Sequence, residues 1–463
     1  MAPNRRNVLA LLATSARTTI SPIAFAAGKP ARKQNFIIVM CDDLGYGDIE
    51  PTGGKMIPTP NLNRMAREGM VLTDYYAAAN ICTPSRAGLL TGRYPVRTGL
   101  AIGVILLPDK RMLPLTEATI PQALKPAGYV SGLFGKWHLG HLGPDWQPTK
   151  HGFDQFFGIP YSHDMKPLTL ITDNSANSVP THEAPVMEEL QERFYGAAEK
   201  FIEDNADKPF FVELALSAPH LASYPNAKYR DAKMQSAYGE VVQEIDGIMG
   251  RLMAKLKALK LDRDTMVIFT SDNGPWYEGS AGGLRDRKGG AGFDGGYRVP
   301  CIAWQPGTVD AGRRTSSIAC GIDFLPTFCA MAGLPNPANV VIDGADISAV
   351  LKHGAPTPHE ALLLFNEAEV VAVRTQRWKY VTRAYYHGYL VPIDGPDYPQ
   401  LYDMSADISE SYSAAERNPE ALAMVKRLMA DARAKFGPMK AAQQPLILTS
   451  IIVPQSGSGV KQD

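Results

Sequence analysis

Two apolar runs far apart in the chain constrain its fold more than any other feature. Asn35–Met40 and Thr265–Thr270 are rich in Ile, Val and Phe and lack polar alternation. The first stops in Cys41-Asp42-Asp43-Leu44-Gly45-Tyr46-Gly47-Asp48 and the second in Ser271-Asp272-Asn273-Gly274. Such runs read as strands buried on both faces, the interior of a parallel sheet covered by helices. Ligands of open parallel sheets gather at the carboxyl ends of the strands, where both acidic loops lie.

Between the two runs, strand and helix patterns alternate. Thr59–Gly69 has a cap residue, Pro at the first helical position and Gly just past the end, so a helix is expected there. A strand is expected over Val71–Tyr76, a helix over Glu117–Lys125, a strand over Tyr129–Phe134, a helix over Met187–Asn205 and a strand over Pro209–Leu216. From about Asp231 to Lys260, Tyr238, Val241, Ile245, Ile248, Leu252 and Leu256 recur at helical spacing and predict a core-facing helix. The fold class is α/β, a large, mainly parallel mixed sheet flanked by helices. Short strands over Leu362–Phe365, Val370–Val373, Trp378–Thr382 and Leu401–Tyr402, with a helix near Pro419–Lys435, predict a smaller C-terminal antiparallel sheet plus helix. The expected division is a leader over residues 1–34, a catalytic α/β domain over 35–355, a C-terminal α+β subdomain over 356–440 and a tail over 441–463.

At 463 residues the chain can bury a large core. Its 47 basic and 47 acidic residues argue against a nucleic-acid or membrane-surface binder, which needs a cationic surplus. No run after the N-terminus approaches the roughly 20 apolar residues that cross a bilayer, so no stable membrane insertion is expected. Arg5-Arg6, the run Val8–Ala13 and Ala24-Phe25-Ala26 resemble an export signal of twin-arginine type. This points to a periplasmic or secreted protein, with a cytoplasmic chain carrying an N-terminal tail as the alternative. The five cysteines leave at least one unpaired within the chain, and no spacing resembles a zinc site.

Adjacent carboxylates in a tight loop repel unless a cation sits between them. Asp42, Asp43, Asp272 and Asn273 form an all-oxygen set that suits calcium or magnesium and disfavours zinc. Other strand ends carry titratable groups. Lys136 and His138 share a face if the segment is extended, Pro219-His220 follows another strand, and Arg285, Asp286, Arg287 and Lys288 lie in a Gly-rich loop. In Ile81–Arg93, Thr83 can cap a helix and Pro84 suits its first turn, which places the Cys82 thiol at a helix start that favours anions. A lone Cys there is also an ordinary core residue. A pocket with Arg86, Lys136, Lys288 and a divalent ion is suited to holding an anion while a bond to it breaks. Sulfate and phosphate esters both meet that description.

Cys-x-Pro-Ser-Arg followed by Leu-Leu-Thr-Gly-Arg resembles the maturation signature of the sulfatases. Five further blocks occur in that family's order: Asp42-Asp43-x-Gly-Tyr-Gly-Asp, Gly135-Lys136-Trp137-His138-Leu139-Gly140, Pro219-His220, Ser271-Asp272-Asn273-Gly274 and Gly295-Gly296-x-Arg298-Val299-Pro300. The resemblance implies an alkaline-phosphatase-like fold and a formylglycine-dependent arylsulfatase-type hydrolase of sulfate monoesters, aryl, carbohydrate or steroid. It implies that a formylglycine-generating maturation enzyme oxidises Cys82. Asp42, Asp43, Asp272 and Asn273 would then hold Ca2+, or Mg2+, against the sulfate and residue 82. Arg86 would brace the formylglycine hydrate, and Lys136, His220 and Lys288 would contact the sulfate. In the implied chemistry one hydroxyl of the hydrate attacks sulfur while His220 or Lys288 protonates the leaving alcohol. His138 then deprotonates the second hydroxyl, and sulfate is expelled.

Many relatives carry Pro two residues after the Pro-His histidine, where this chain has Ala222, and that departure bears on the local turn. A phosphonate monoester or phosphodiester hydrolase on the same scaffold, and an inactive anion- or glycan-binding protein, are the alternatives. Specificity for the leaving group is expected from Tyr161–Thr181 and Tyr385–Tyr398.

Overall fold

A computed structural model describes residues 33–442 apart from Ala176 and Gln235. The leader through residue 32 and the tail from residue 443 lie outside the described residues. Strand Asn35–Asp42 is buried at every position, and its successive side chains divide between two apolar layers. Phe36, Ile38 and Met40 pack with Ala87, Leu89 and Leu90 of helix Cys82–Thr91, with Ile120 and Leu124, and with Phe324 and Phe328. Ile37, Val39 and Cys41 pack on the opposite side with Leu62 and Met65, Phe194 and Ile202, and Val241, Ile245 and Leu252. Each fully buried Ile, Val, Leu or Phe contributes about 1.5–3 kcal/mol relative to exposure, so the helix–sheet–helix layering follows from the unalternated run.

The sheet has ten strands in the order Arg313–Thr315, Met70–Leu72, Cys301–Trp304, Thr265–Ser271, Asn35–Asp42, Phe210–Pro219, Val130–Lys136, Gln155–Ile159, Leu170–Asp173 and Thr181–Glu183. The run from Thr265–Ser271 to Gln155–Ile159 is parallel, and antiparallel pairings lie outside it. Asn35–Asp42 is therefore flanked in register by Thr265–Ser271 and Phe210–Pro219, which brings both acidic loops to one edge. Gly135 has φ 127 and approaches Ala215 so closely that a Cβ would lie 1.8 Å from its carbonyl oxygen. No other residue fits there.

The smaller sheet pairs Leu362–Asn366, Glu369–Arg374, Trp378–Val381 and Gln400–Asp403, all antiparallel. Helix Pro419–Ala442 covers it through Val425, Met429, Ala432 and Phe436, and the same cluster includes Tyr94, Ile318 and Ile322 of the larger sheet's surroundings.

Several boundaries differ from the sequence expectation for local reasons. The single strand expected over Val71–Tyr76 is two, Met70–Leu72 and Tyr75–Tyr76. It breaks because Asp74 pairs with Arg298 and Arg374 while Thr73 O accepts from Arg298 Nε. The helix expected from Glu117 begins at Ile120, where Thr119 and Gln122 form a capping box, and ends at Leu124 before Pro126. The long helix spans Ala237–Ala258, capped by Ser236. A hairpin, Arg383–Tyr386 with Tyr389–Pro392, was not anticipated. Its signal is the dipeptide His387-Gly388, both at positive φ, closing a two-residue turn. Among the described residues no helix is long and apolar enough to cross a membrane, and all five cysteines are free.

Candidate active site

The carboxyl ends of the central strands supply the acidic groups. Asp42 is the last residue of its strand, Asp43 turns away from it at φ 67, and Asp272 and Asn273 follow Thr265–Ser271. Asp43 N donates to Asp272 Oδ1 (3.2 Å), and Asn273 Nδ2 donates to Asp43 Oδ1 (2.7 Å). Ligand atoms of Asp42, Asp43, Cys82 and Asp272 all lie within 4.8 Å of one another, and all four residues are buried. Asn273 Oδ1 is buried with no hydrogen-bond donor. Three clustered carboxylates and an orphaned amide oxygen fit a hard divalent cation.

Cys82 is the first residue of helix Cys82–Thr91, and its thiol donates to Asp42 Oδ1 at 3.4 Å. Thr83 does not cap that helix, since it lies inside the first turn; its hydroxyl donates to His138 O and accepts from Ile105 N. Burial raises the Cys82 thiol well above its ordinary pKa in spite of Lys136 and Lys288 nearby. As cysteine, the residue is a protonated and weak nucleophile at neutral pH.

One helical turn on, Arg86 Nε donates to Asp272 Oδ2 (2.9 Å), its Nη2 pairs with the same oxygen (2.8 Å), and its Nη1 donates to Lys136 O (2.9 Å). Lys136, wholly buried as the last residue of its strand, pairs with Asp42 Oδ2 at 2.6 Å. Burial acts to raise the Asp42 pKa, but Lys136, His220, Arg86 and Lys288 together outweigh it and hold the carboxyl well below the usual range. At Asp272 burial wins over Arg86 and the pKa is pushed up to about 6.

His138 is not on an extended segment with Lys136. It has φ 57, and its Nε2 lies 3.1 Å from Ile105 O. Only a donating Nε2–H satisfies that carbonyl, so Nδ1, buried and without a partner, carries the lone pair. Burial, with Lys136 and Arg86, holds His138 well below its ordinary pKa. His220 Nδ1 lies 2.6 Å from Leu221 O, and its Nε2 lies 3.6 Å from Asp43 Oδ2. Lys288 Nζ reaches Asp43 Oδ2 at 2.6 Å. Arg285 instead binds Tyr402 OH and Glu410 O, and Arg287 binds Trp276 O and Gly279 O. All ten sequence candidates thus converge.

The sequence reading includes Ser162 and His163 only within Tyr161–Thr181, expected to set leaving-group specificity, and does not single them out; both follow the strand Gln155–Ile159. The Ser162 hydroxyl is buried without a partner, and the His163 ring stands 5.6 Å from that of His220. Their signal was a further strand ending in polar residues, hidden within a stretch poor in pattern.

Three cations, a donor set that fits a hard divalent ion and residue 82, gathered at the edge of a helix-covered sheet, suit a class of hydrolases that act on esters of an oxyacid. The family model described as Sulfatase matches residues 34–334. Arylsulfatase A of Homo sapiens is 34% identical over 474 residues, covering 91% of this chain and 93% of that one. N-acetylgalactosamine-6-sulfatase of Canis lupus familiaris is 36% identical over 363 residues, 72% of this chain and 68% of that one. The crystal structure of PsFucS1 sulfatase from Pseudoalteromonas sp. matches with a TM-score of 0.81 at 27% identity, covering 87% of this chain and 90% of that one. The chain belongs to the sulfatase family and is a hydrolase of sulfuric esters.

Proposed function

We propose that this chain hydrolyses sulfate monoesters at residue 82, matured from Cys82 to formylglycine, with a divalent cation held by Asp42, Asp43, Asp272 and Asn273. In the present structure Cys82 Sγ stands where the formylglycine hydrate oxygens would be. The cation, Ca2+ in this reading and Mg2+ as its alternative, supplies Lewis-acid stabilisation of a sulfate oxygen, and formylglycine supplies a hydroxyl nucleophile. The observation that carries the reading is the burial of a protonated thiol among three carboxylates and three cationic side chains. Such a thiol is poorly placed to be a thiolate nucleophile and well placed to be replaced by a neutral one.

The chain's own residues then have distinct tasks. Arg86 fixes Asp272 and the Lys136 carbonyl, which holds the helix bearing residue 82 against the strand ends. Lys136 and Lys288 have N–H groups beyond those paired with Asp42 and Asp43 and present them to the ester. His220 Nε2 faces the same space and, as an imidazolium with its Nδ1–H on Leu221 O, supplies with Lys288 the proton that the leaving alcohol needs. His138, kept neutral with Nδ1 as its free lone pair, accepts a proton from residue 82. Thr83 ties His138 O to the residue next to Cys82. A maturation enzyme acts on Cys82, and the Arg5-Arg6 leader directs the chain to the periplasm or outside the cell.

Mass spectrometry of the peptide containing residue 82, in active protein, tests this directly. The expected result is loss of the thiol mass and gain of an aldehyde; an unmodified cysteine in fully active protein would overturn the mechanism. Cys82→Ala should retain the fold and lose turnover of aryl sulfates by at least about 1,000-fold.

A further inference from the structure

His163 is buried, at 3% exposure, beside the turn that carries His220. Its Nε2 lies 2.9 Å from Ala222 O, a contact that a neutral imidazole makes only by donating from Nε2. Its Nδ1 is buried with no partner. Burial, reinforced by His220, brings the His163 pKa down to about 4, so the ring is uncharged at neutral pH. The ring meets His220 edge to face, at 5.6 Å and 84°, and meets Tyr224 at 5.9 Å and 75°. His220 itself donates from Nδ1 to Leu221 O. Two successive carbonyls of the turn, Leu221 O and Ala222 O, are therefore each bound by an imidazole. Together they set where His220 Nε2 points.

We infer that His163 is a positioning residue that acts through His220: its hydrogen bond to Ala222 O holds the Pro219–Ser223 turn so that His220 Nε2 faces Asp43 and the ester. The inference rests on the sulfatase reading for the reaction that is measured. Removing the donor leaves a buried carbonyl unsatisfied and frees the turn to move. An imidazole displaced by about 1 Å loses on the order of 100-fold in a proton-transfer role. His163→Phe keeps an aromatic ring in place without a donor, whereas His163→Gln keeps an amide N–H at comparable reach.

The test is a double-mutant cycle on metal-loaded enzyme matured at residue 82, with para-nitrophenyl sulfate as substrate. His163→Phe should lower kcat by about 10-fold or more with KM changed by less than about 3-fold, and His163→Gln should stay within about 3-fold of the parent. In a His220→Ala background His163→Phe should cost less than about 2-fold. An undiminished cost in that background, unchanged kcat in His163→Phe, or a Gln variant as impaired as Phe would each overturn the inference. Should His163→Phe not fold, His163→Asn, whose shorter amide does not reach Ala222 O, takes its place in the cycle. Absence of sulfate-ester turnover by the matured, metal-loaded parent is a different failure and counts against the sulfatase reading itself.

Discussion

At the scale of single residues, the site depends on donors with fixed geometry. Arg86 places two hydrogen-bond donors in one plane, Nε toward Asp272 and Nη1 toward Lys136 O, and sets Nη2 as a charge beside Asp272 and Asp42. A lysine ammonium on a flexible stem supplies no such fork. Arg86→Lys is expected to cut kcat roughly 100-fold and to lower the melting temperature, since a buried carboxylate loses part of its pairing. Kinetics and a thermal scan on the same preparation check it, and a variant with parental turnover would show that the fork is dispensable. Residue identity was the most legible level in the sequence. Asp42, Asp43, Cys82, Asp272 and Asn273 were readable because each sits at the abrupt end of an apolar run or beside Pro at a helix start. His163 and Ser162 were not, because their strand carries aromatics and glycine in place of an Ile/Val run. His138 was placed on the wrong backbone because nothing in Lys136-Trp137-His138 announces a positive φ.

Among the elements, the strand Phe210–Pro219 contains an anomaly. Glu213 sits in register between Ile38 and Leu133, is 4% exposed and has an Oε2 without a partner. Burial pushes its pKa from 4.5 up to about 7, with only Arg86 opposing. Well below pH 4.5 the carboxyl is neutral in both folded and unfolded chains and its ionisation costs nothing. As pH rises toward 7 the unfolded chain ionises first, so stability falls, and above 7 the loss is complete. That loss is on the order of 3 kcal/mol. Glu213→Gln should remove this part of the pH dependence, coming close to the parent near pH 4 and exceeding it at pH 8 in urea midpoint. Equal midpoints at pH 8 would mean that Glu213 has a compensating partner. The element pattern itself was largely legible, because periodicity reports burial. The hairpin Arg383–Tyr386/Tyr389–Pro392 escaped it because Tyr385, Tyr386 and Tyr389 are exposed and no face alternates.

On the scale of the whole molecule, the smaller sheet is joined to the larger by buried charge as well as apolar packing. Lys379, fully buried, pairs with Asp294 Oδ1 (2.6 Å) and Glu410 Oε1 (2.7 Å), and Asp294 also meets Arg298 and Tyr76. Lys379→Met should cost about 3–5 kcal/mol because two buried carboxylates lose their shared cation. Adding Glu410→Gln should recover part of that loss, and denaturant titration of the single and double variants measures both. This network was invisible in sequence, since its members are scattered from Asp74 to Glu410 and pair only in space. The active site has a related property when its charges are summed. Asp42, Asp43 and Asp272 set three negative charges against the three positive charges of Arg86, Lys136 and Lys288, so the protein alone is electroneutral there. Attraction for an anion then arrives with the divalent cation rather than with the fold. Inorganic sulfate should stabilise the protein thermally when the cation is present and lose that effect after chelation. The sulfate dianion, which cancels the cation's charge more fully than a monoanionic ester does, should act as a competitive product inhibitor.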